Sequence, residues 1–598
     1  MACRGILCYL SITVVLIMPC CAAAEDQAQK TSPTAIVPTN TESLQRAIDA
    51  AYLAGQKKIV ISPGVYPMDD RLRLRNLSDF EIDATGVTFA RAEPTKTGIS
   101  FDGCTDVTLR GLTLRCDKAP HTQGTIEAID PDGTWIDLRV DAGYPADYLN
   151  QKTTGYCFDR KTRQWKAGTF DYGIASTEPR DGGLVRLHLD GHLGRNNQML
   201  PGDLMGFRGP GGSDIAVFGC AKMKIIGVTL LGGTGFCMHE SGGEGANYYS
   251  YRLTYCPRPP GAITDPLIAS NADAFHSSGI RHGPTLENCS FEGMCDDGVP
   301  IHGEYAMVAS SGTKELIIAG PGDRNFFRNG DPVRLLDTGA GYVGEAKVIN
   351  SQLAAGFHPA EPLKDKKFVR CHRFYQLTLD HDLPAKPGDR VSDPNANGSG
   401  FVVRHCTIRN HRARGMLIKA DDGLIEDNRI EGSTIADLVI SPEYYWNEAD
   451  YSRHLVIRNN FFGRCGYAST GPWNQQAGAV TLASEAKKRG PGGYGHQQIT
   501  IENNTFEEID GVNLFINSAQ NVLVEGNRFL RPQQQPTRRG ADYMDPEALI
   551  YLSDCDDVRF ERNTVSAAGA YSKHTVEAAP TATNVAGERG GVSPIPSH

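Results

Sequence analysis

A six-residue pattern recurs along this chain: an apolar residue, two mostly polar ones, Asn or Cys, a polar residue and a closing apolar one. It occupies Leu286–Phe291, Val403–Ile408, Ile425–Ile430, Ile457–Phe462, Ile501–Phe506, Val524–Phe529 and Phe560–Val565. Its fourth position reads Cys289, Cys406, Asn428, Asn460, Asn504, Asn527 and Asn563, with shortest steps of 22 (Cys406 to Asn428) and 23 (Asn504 to Asn527). Weaker copies sit at 109–114 and 225–230. A period near 23 with short strands and a turn Asn at one place fits a solenoid of β-coils, in which no repeat buries its apolar face alone. Asn side chains stacked coil on coil would share amide hydrogen bonds, which accounts for them without any ligand.

The chain start fits a capped solenoid. Leu44, Ile48 and Ala51 fall on one face of a helix, and the strand–turn–strand pattern of 58–66 follows. A helix over the first open coil would shield its edge. Residues 117–210 and 304–400 break the period and end in similar Pro-Gly-Asp turns, at 201–203 and 387–389. They are predicted to be antiparallel, barrel-like insertions. Coils are then expected over 25–116, 211–303 and 401–570. The Ala/Thr/Gly/Ser/Pro-rich stretch 571–598 is expected to be a disordered tail.

Residues 1–24 carry Arg4, an apolar run over 6–18 and Ala22-Ala23-Ala24, the pattern of a cleavable secretory signal. The run is too short to span a bilayer comfortably, and Pro19 sits poorly for lipid attachment at Cys20 or Cys21. A secreted or periplasmic protein without a membrane span is expected. The twelve cysteines beyond residue 24 are spread singly with no Cys-x-x-Cys, so a cysteine-ligated zinc is excluded, and buried thiols are as reasonable as disulfides. A net charge of -10 with scattered Lys and Arg argues against a nucleic-acid partner. Oligomeric state stays open, a homodimer included.

Candidate chemistry centres on Asp273, in Asn-Ala-Asp-Ala-Phe-His, and on Asp296-Asp297, 23 and 24 residues on. At one coil's spacing the three carboxylates would share a face, with Asp273 expected to stack on Asp296. In a regular strand Asp296 and Asp297 would point to opposite faces, so both reach one cleft only if Gly298 marks a bulge or turn. A carboxylic acid between two carboxylates keeps its proton by like-charge repulsion. One Asp could then protonate a leaving oxygen while the others hold and deprotonate a water, as in an inverting glycosidase with acid and base about 6.5–9.5 Å apart. Further candidate sugar contacts are His276, His302, Arg414, Lys419, Glu443, Trp446 and Glu448.

The segments 287–303, 412–419, 442–448 and 458–460 together resemble glycoside hydrolase family 110, and Asn271-Ala-Asp273, Asp296-Asp297 and Ile301-His-Gly303 resemble the three-Asp site of polygalacturonases. The resemblance covers most of 35–565. It implies an all-β fold, a right-handed parallel β-helix of the pectin-lyase-like kind with an N-terminal capping helix and two barrel insertions. It also implies an exo-acting, inverting α-1,3-galactosidase, with Asp296 as general acid and Asp273 and Asp297 as the base pair. No cofactor or metal is called for, and the partner would be an oligosaccharide or glycoconjugate ending in α-galactose. Gly298-Val299-Pro300 departs from a more usual Ala-containing run, which bears on fine specificity. Two other classes compete. A polygalacturonase-like enzyme would want a denser Arg/Lys cluster than the sequence suggests, and a lyase a Lys or Arg base. A β-helix adhesin would use the Asp residues only to bind.

Overall fold

The computed structural model describes residues 35–150, 152–194, 197–467, 478–485, 492–536, 544–587 and 593–594. The leader expected at 1–24 lies outside the described residues. Among them, no helix is long and apolar enough to cross a membrane.

The molecule is a parallel β-helix. Thirty-three strands join one continuous sheet system, and two separate closed barrels interrupt it. The chain enters through a helix, α1 (Thr41–Leu53), whose N-terminus is capped by Asn40 and Ser43 exchanging side-chain and backbone hydrogen bonds. Its buried face is Thr41, Leu44, Ile48 and Ala51, which close the apolar interior of the first coil.

What holds the coils in register is a column of asparagines. The backbone N–H of Asn428 donates to the Asn460 side-chain oxygen at 3.0 Å, and Asn460, Asn504 and Asn527 donate likewise to Asn504, Asn527 and Asn563. The N–H of Cys406 starts the run by donating to Asn428. Each side-chain amide also donates to a backbone carbonyl of the preceding coil, as Asn504 does to Ile457 at 2.9 Å. All of these side chains are buried, so every amide must be paired where water cannot replace it. The residue before each Asn takes a left-handed conformation that turns the chain from one sheet to the next, with φ of 53° at Asp427, 57° at Asn459 and 56° at Asn503. Inside, Phe462, Phe506 and Phe529 stack at 5.2 and 4.8 Å between centroids.

The first barrel has six strands between His121 and Arg208, the second six between Ala306 and Ser392. Each closes through the same device: in Pro201-Gly-Asp203 and Pro387-Gly-Asp389 the Asp carboxylate accepts the N–H three residues earlier, at 2.8 and 2.9 Å. The twelve cysteines of the described residues are all unbridged, and all but Cys371 are buried.

One expectation fails. The stretch from 571 is not disordered throughout: His574–Ala578 and Ala582–Gly587 are strands that pair in parallel with Ala548–Glu561. Its small residues still carry Val576 and Val585 at core-facing positions, which is enough to continue the ladders. Residues 588–592 and 595–598 lie outside the described residues.

Candidate active site

Coil stacking assembles the site. Ser270 bridges Met294, and Ser277 and Ser278 pair with Ile301 and His302, so successive coils are offset here by 24 residues. Asp273 therefore stacks on Asp297, not on Asp296 as the 23-residue step predicts. The next coil continues the column with Arg414, whose N–H donates to Asp297 Oδ1 at 2.9 Å. The chain bends over 295–298 before entering the strand Val299–Glu304, and that bend turns both Asp296 and Asp297 to the cleft. Gly298 is needed for packing: a Cβ there would lie 2.3 Å from the Gly415 carbonyl oxygen of the next coil.

One oxygen from each of Asp273, Asp296 and Asp297 lies within 4.8 Å of the others. They line a cleft of about 680 Å³ shared with His276, Arg414, Glu443, Trp446 and Glu448. Trp446 stands at the rim, 55% exposed beside Tyr445, and is not a core plug. Two expected sugar contacts lie one layer back. His302 is buried behind His276, their Nε2 atoms 3.2 Å apart. Lys419 is fully enclosed, its ammonium donating to Glu443 at 3.1 Å and Glu448 at 2.7 Å. It positions those two carboxylates and does not reach the cleft surface.

The first barrel supplies residues that the repeat pattern could not reveal. Arg208, at the end of its last strand, donates to Asp296 Oδ2 at 3.0 Å. Arg412, from the coil after the second barrel, donates to the other oxygen at 2.5 Å and grips Asp171 of the first barrel with two nitrogens. Phe170 and Phe236 add apolar wall. Arg412 sits inside a motif already singled out, two residues from Arg414. Asp171 and Arg208 carry no local signal, because only barrel closure brings them in. Asn271 ties the barrel down, its amide donating to the carbonyls of Pro120 and Gly209, the two legs of the insertion, and to Thr234.

Charge separates the three acids. Burial alone would raise the pKa of Asp296, but Arg412, Arg208 and Arg414 overcome it and hold the group at about 2. Burial pushes Asp297 up to about 7 against the pull of Arg414, helped by Asp296 and Asp273. Asp273 is raised by burial, then by Asp296 and Glu448. These opposed shifts favour protonation along the Asp273/Asp297 column and the anionic form of Asp296 between its two guanidiniums. The resemblance assigns the donated proton to Asp296, whose protonation the two guanidiniums oppose electrostatically.

The cationic cluster is denser than the sequence suggested, yet Arg208, Arg412, Arg414 and Lys419 are each paired with a carboxylate of the protein. Three oxygens so close could in principle hold a cation. Guanidiniums pair with Asp296 and Asp297, while Asp273 meets His276.

No family model matches the chain. It is similar to proteins named α-1,3-galactosidase: the A form of Shewanella woodyi at 24% identity over 46% of this chain and 43% of that one, and the B form of Bacteroides thetaiotaomicron at 22% identity over 77% and 74%. The chain thus spans under half of the first relative's length and about three quarters of the second's. Among solved structures, the catalytic domain of a family 87 α-1,3-glucanase in complex with nigerose aligns over 94% of this chain and 70% of that one, at 11% identity and a TM-score of 0.44. The fold is a parallel β-helix, and the chain's relatives in sequence are proteins named α-1,3-galactosidase.

Proposed function

We propose that this protein is an exo-acting, inverting glycoside hydrolase that releases terminal α-1,3-linked galactose from glycans, acting outside the cytoplasm behind the leader at 1–24. The convergence of Asp273, Asp296 and Asp297 within 4.8 Å on the cleft floor carries the reading. A water about 2.8 Å from each of two carboxylate oxygens fits when they are up to roughly 5.6 Å apart, so Asp273 and a partner can hold the nucleophile together. The nearest oxygens are closer than the usual 6.5–9.5 Å between acid and base of inverting enzymes. The anomer of the product is therefore the sharpest test of stereochemistry.

The Asp296–Asp297 pair supplies the proton for the leaving oxygen, and in the resting cleft that proton lies on Asp297. A galactosyl fluoride, whose leaving group needs no protonation, distinguishes the two: the donor's Asn variant should lose far less activity on the fluoride than on a disaccharide. A uronate substrate is disfavoured at the cleft floor, where Arg208, Arg412, Arg414 and Lys419 are each already paired with a carboxylate. Phe170, Phe236 and Trp446 offer apolar faces that suit a neutral sugar.

The test is to incubate the protein with α-1,3-, α-1,4- and α-1,6-linked galactosides and follow released galactose by proton NMR. The reading expects α-1,3 cleavage with β-galactose appearing first. α-Galactose first would remove the inverting assignment, and cleavage confined to another linkage would remove the specificity.

A further inference from the structure

The Asp273 side of the site ends in two histidines whose hydrogen bonds fix where protons can sit. His302 Nδ1 is 2.7 Å from the carbonyl oxygen of Gly303. A carbonyl only accepts, so Nδ1 carries the hydrogen. Burial keeps this ring neutral, holding its pKa down at about 4, which leaves Nε2 bare. His276 Nε2, 3.2 Å away, must then be the donor. That leaves the other nitrogen of His276, 2.7 Å from Asp273 Oδ2. Two acceptors cannot share that contact, so one proton lies between them, on the carboxyl or on the ring.

We propose that His276 is the proton partner of Asp273, so that the base of the reaction is an Asp273–His276 pair. This rests on the hydrolase reading above. A buried, protonated Asp273 alone could not accept a proton from water. With His276 it can, because its own proton moves to Nδ1. In the step, a water O–H bond breaks as its oxygen bonds the anomeric carbon. The glycosidic C–O bond breaks and its oxygen takes a proton from the 296–297 pair. The water's proton arrives on Asp273 while His276 holds the earlier one. Return of one proton to the 296–297 pair restores the site, and no other reactant is needed.

The ring is held for this task. Phe236 of the preceding coil stacks on it at 4.4 Å, and His239, on the same coil, meets it edge-on at 5.3 Å. The charges around the pair are Asp296 and Asp297 from the next coil, Arg414 and Lys419 from the coil after, Glu448 from the returning hairpin and Arg208 from the barrel. His276 is a positioning and proton-holding residue; no bond to the sugar is required of it.

The test is His276→Gln, which keeps an amide near Asp273 but cannot hold an extra proton. Asp273 then keeps its raised pKa unaided, and only its ionised form is active. The acid limb of kcat/KM should therefore move to higher pH by about one unit, with about a tenfold loss on the acid side that shrinks as pH rises. A uniform loss at every pH, or activity within twofold of wild type, overturns the proposal. Independently of turnover, wild-type protein should show a far-downfield proton resonance from the Asp273–His276 contact that disappears in both Asp273→Asn and His276→Gln. Its absence from wild type also overturns the proposal. Failure of wild type to cleave any galactoside would instead strike the hydrolase reading, leaving the resonance test intact.

Discussion

The two barrels interrupt the same solenoid, share a Pro-Gly-Asp turn and dock through ion pairs, yet only the first puts its docking charges on the three-carboxylate cluster. The second touches the cleft rim, with Lys366 over Tyr445 and Lys367 over Trp446. The second barrel is pinned by Arg334, fully buried, which pairs with Asp421, Asp450 and Glu345 at 2.9, 3.1 and 2.8 Å. None of those partners lines the cleft. The first barrel is pinned by Asp171–Arg412 and by Arg208, and both guanidiniums end on Asp296. One barrel's docking charges are closed on themselves; the other's are shared with the three-carboxylate cluster. Insertions on a β-helix can thus serve as ballast or as part of the electrostatics, and the difference lies in where the docking ions terminate.

Breaking each pin should separate these roles. Arg412→Met leaves the half-buried Asp171 without its partner and frees one oxygen of Asp296. Expected is a loss of roughly 1–3 kcal/mol of stability, read by denaturant unfolding, and a fall in kcat/KM of at least about a hundredfold. Arg334→Met should cost more stability, roughly 3–5 kcal/mol, while the folded protein keeps kcat/KM within about threefold. Equal catalytic loss in both variants would erase the contrast between the barrels.

A milder probe is pH. If Asp297 must carry its proton, activity is full below its folded pKa of about 7 and falls roughly tenfold per unit above it. The pH–rate profile of wild type should therefore have its alkaline limb near 7. Raising the pKa by burial also means that the ionised form is the less stable one, so this carboxyl favours unfolding as pH rises through its unfolded value toward 7.

Away from both barrels, Asn504→Ala should cost about 2–4 kcal/mol, because it strands the buried Asn460 donors and the Ile457 carbonyl. Catalysis by the folded fraction should be unchanged. The smallest effect is expected at the rim. Trp446→Ala should raise KM several-fold, about 1 kcal/mol, with kcat nearly constant.

How much of this was legible in the sequence depends on distance along the chain. The ladder was readable because each coil repeats the same local demand, an Asn at a left-handed turn, and repetition makes a weak signal additive. The acids were readable for the same reason, one coil apart. The register was off by one because this coil is 24 residues long, already so at Ser270–Met294 ahead of the bend at 295–298, and periodicity averaged over other coils cannot show that. Lys419 was taken for a sugar contact because a charged side chain is usually at a surface; here two glutamates neutralise it inside. Arg208 and Asp171 were invisible, since their contact with Asp296 and Arg412 spans 88 and 241 residues and exists only once the first barrel closes.

The most direct trial of the three-carboxylate account compares wild type with Asp273→Asn, Asp296→Asn and Asp297→Asn on one α-1,3-linked galactosyl disaccharide. Folding of each would be verified by its circular dichroism and melting curve. Each folded variant should lose at least about a thousandfold in kcat. Turnover by any one of them within tenfold of wild type would contradict the claim that three stacked acids act together on one glycosidic bond.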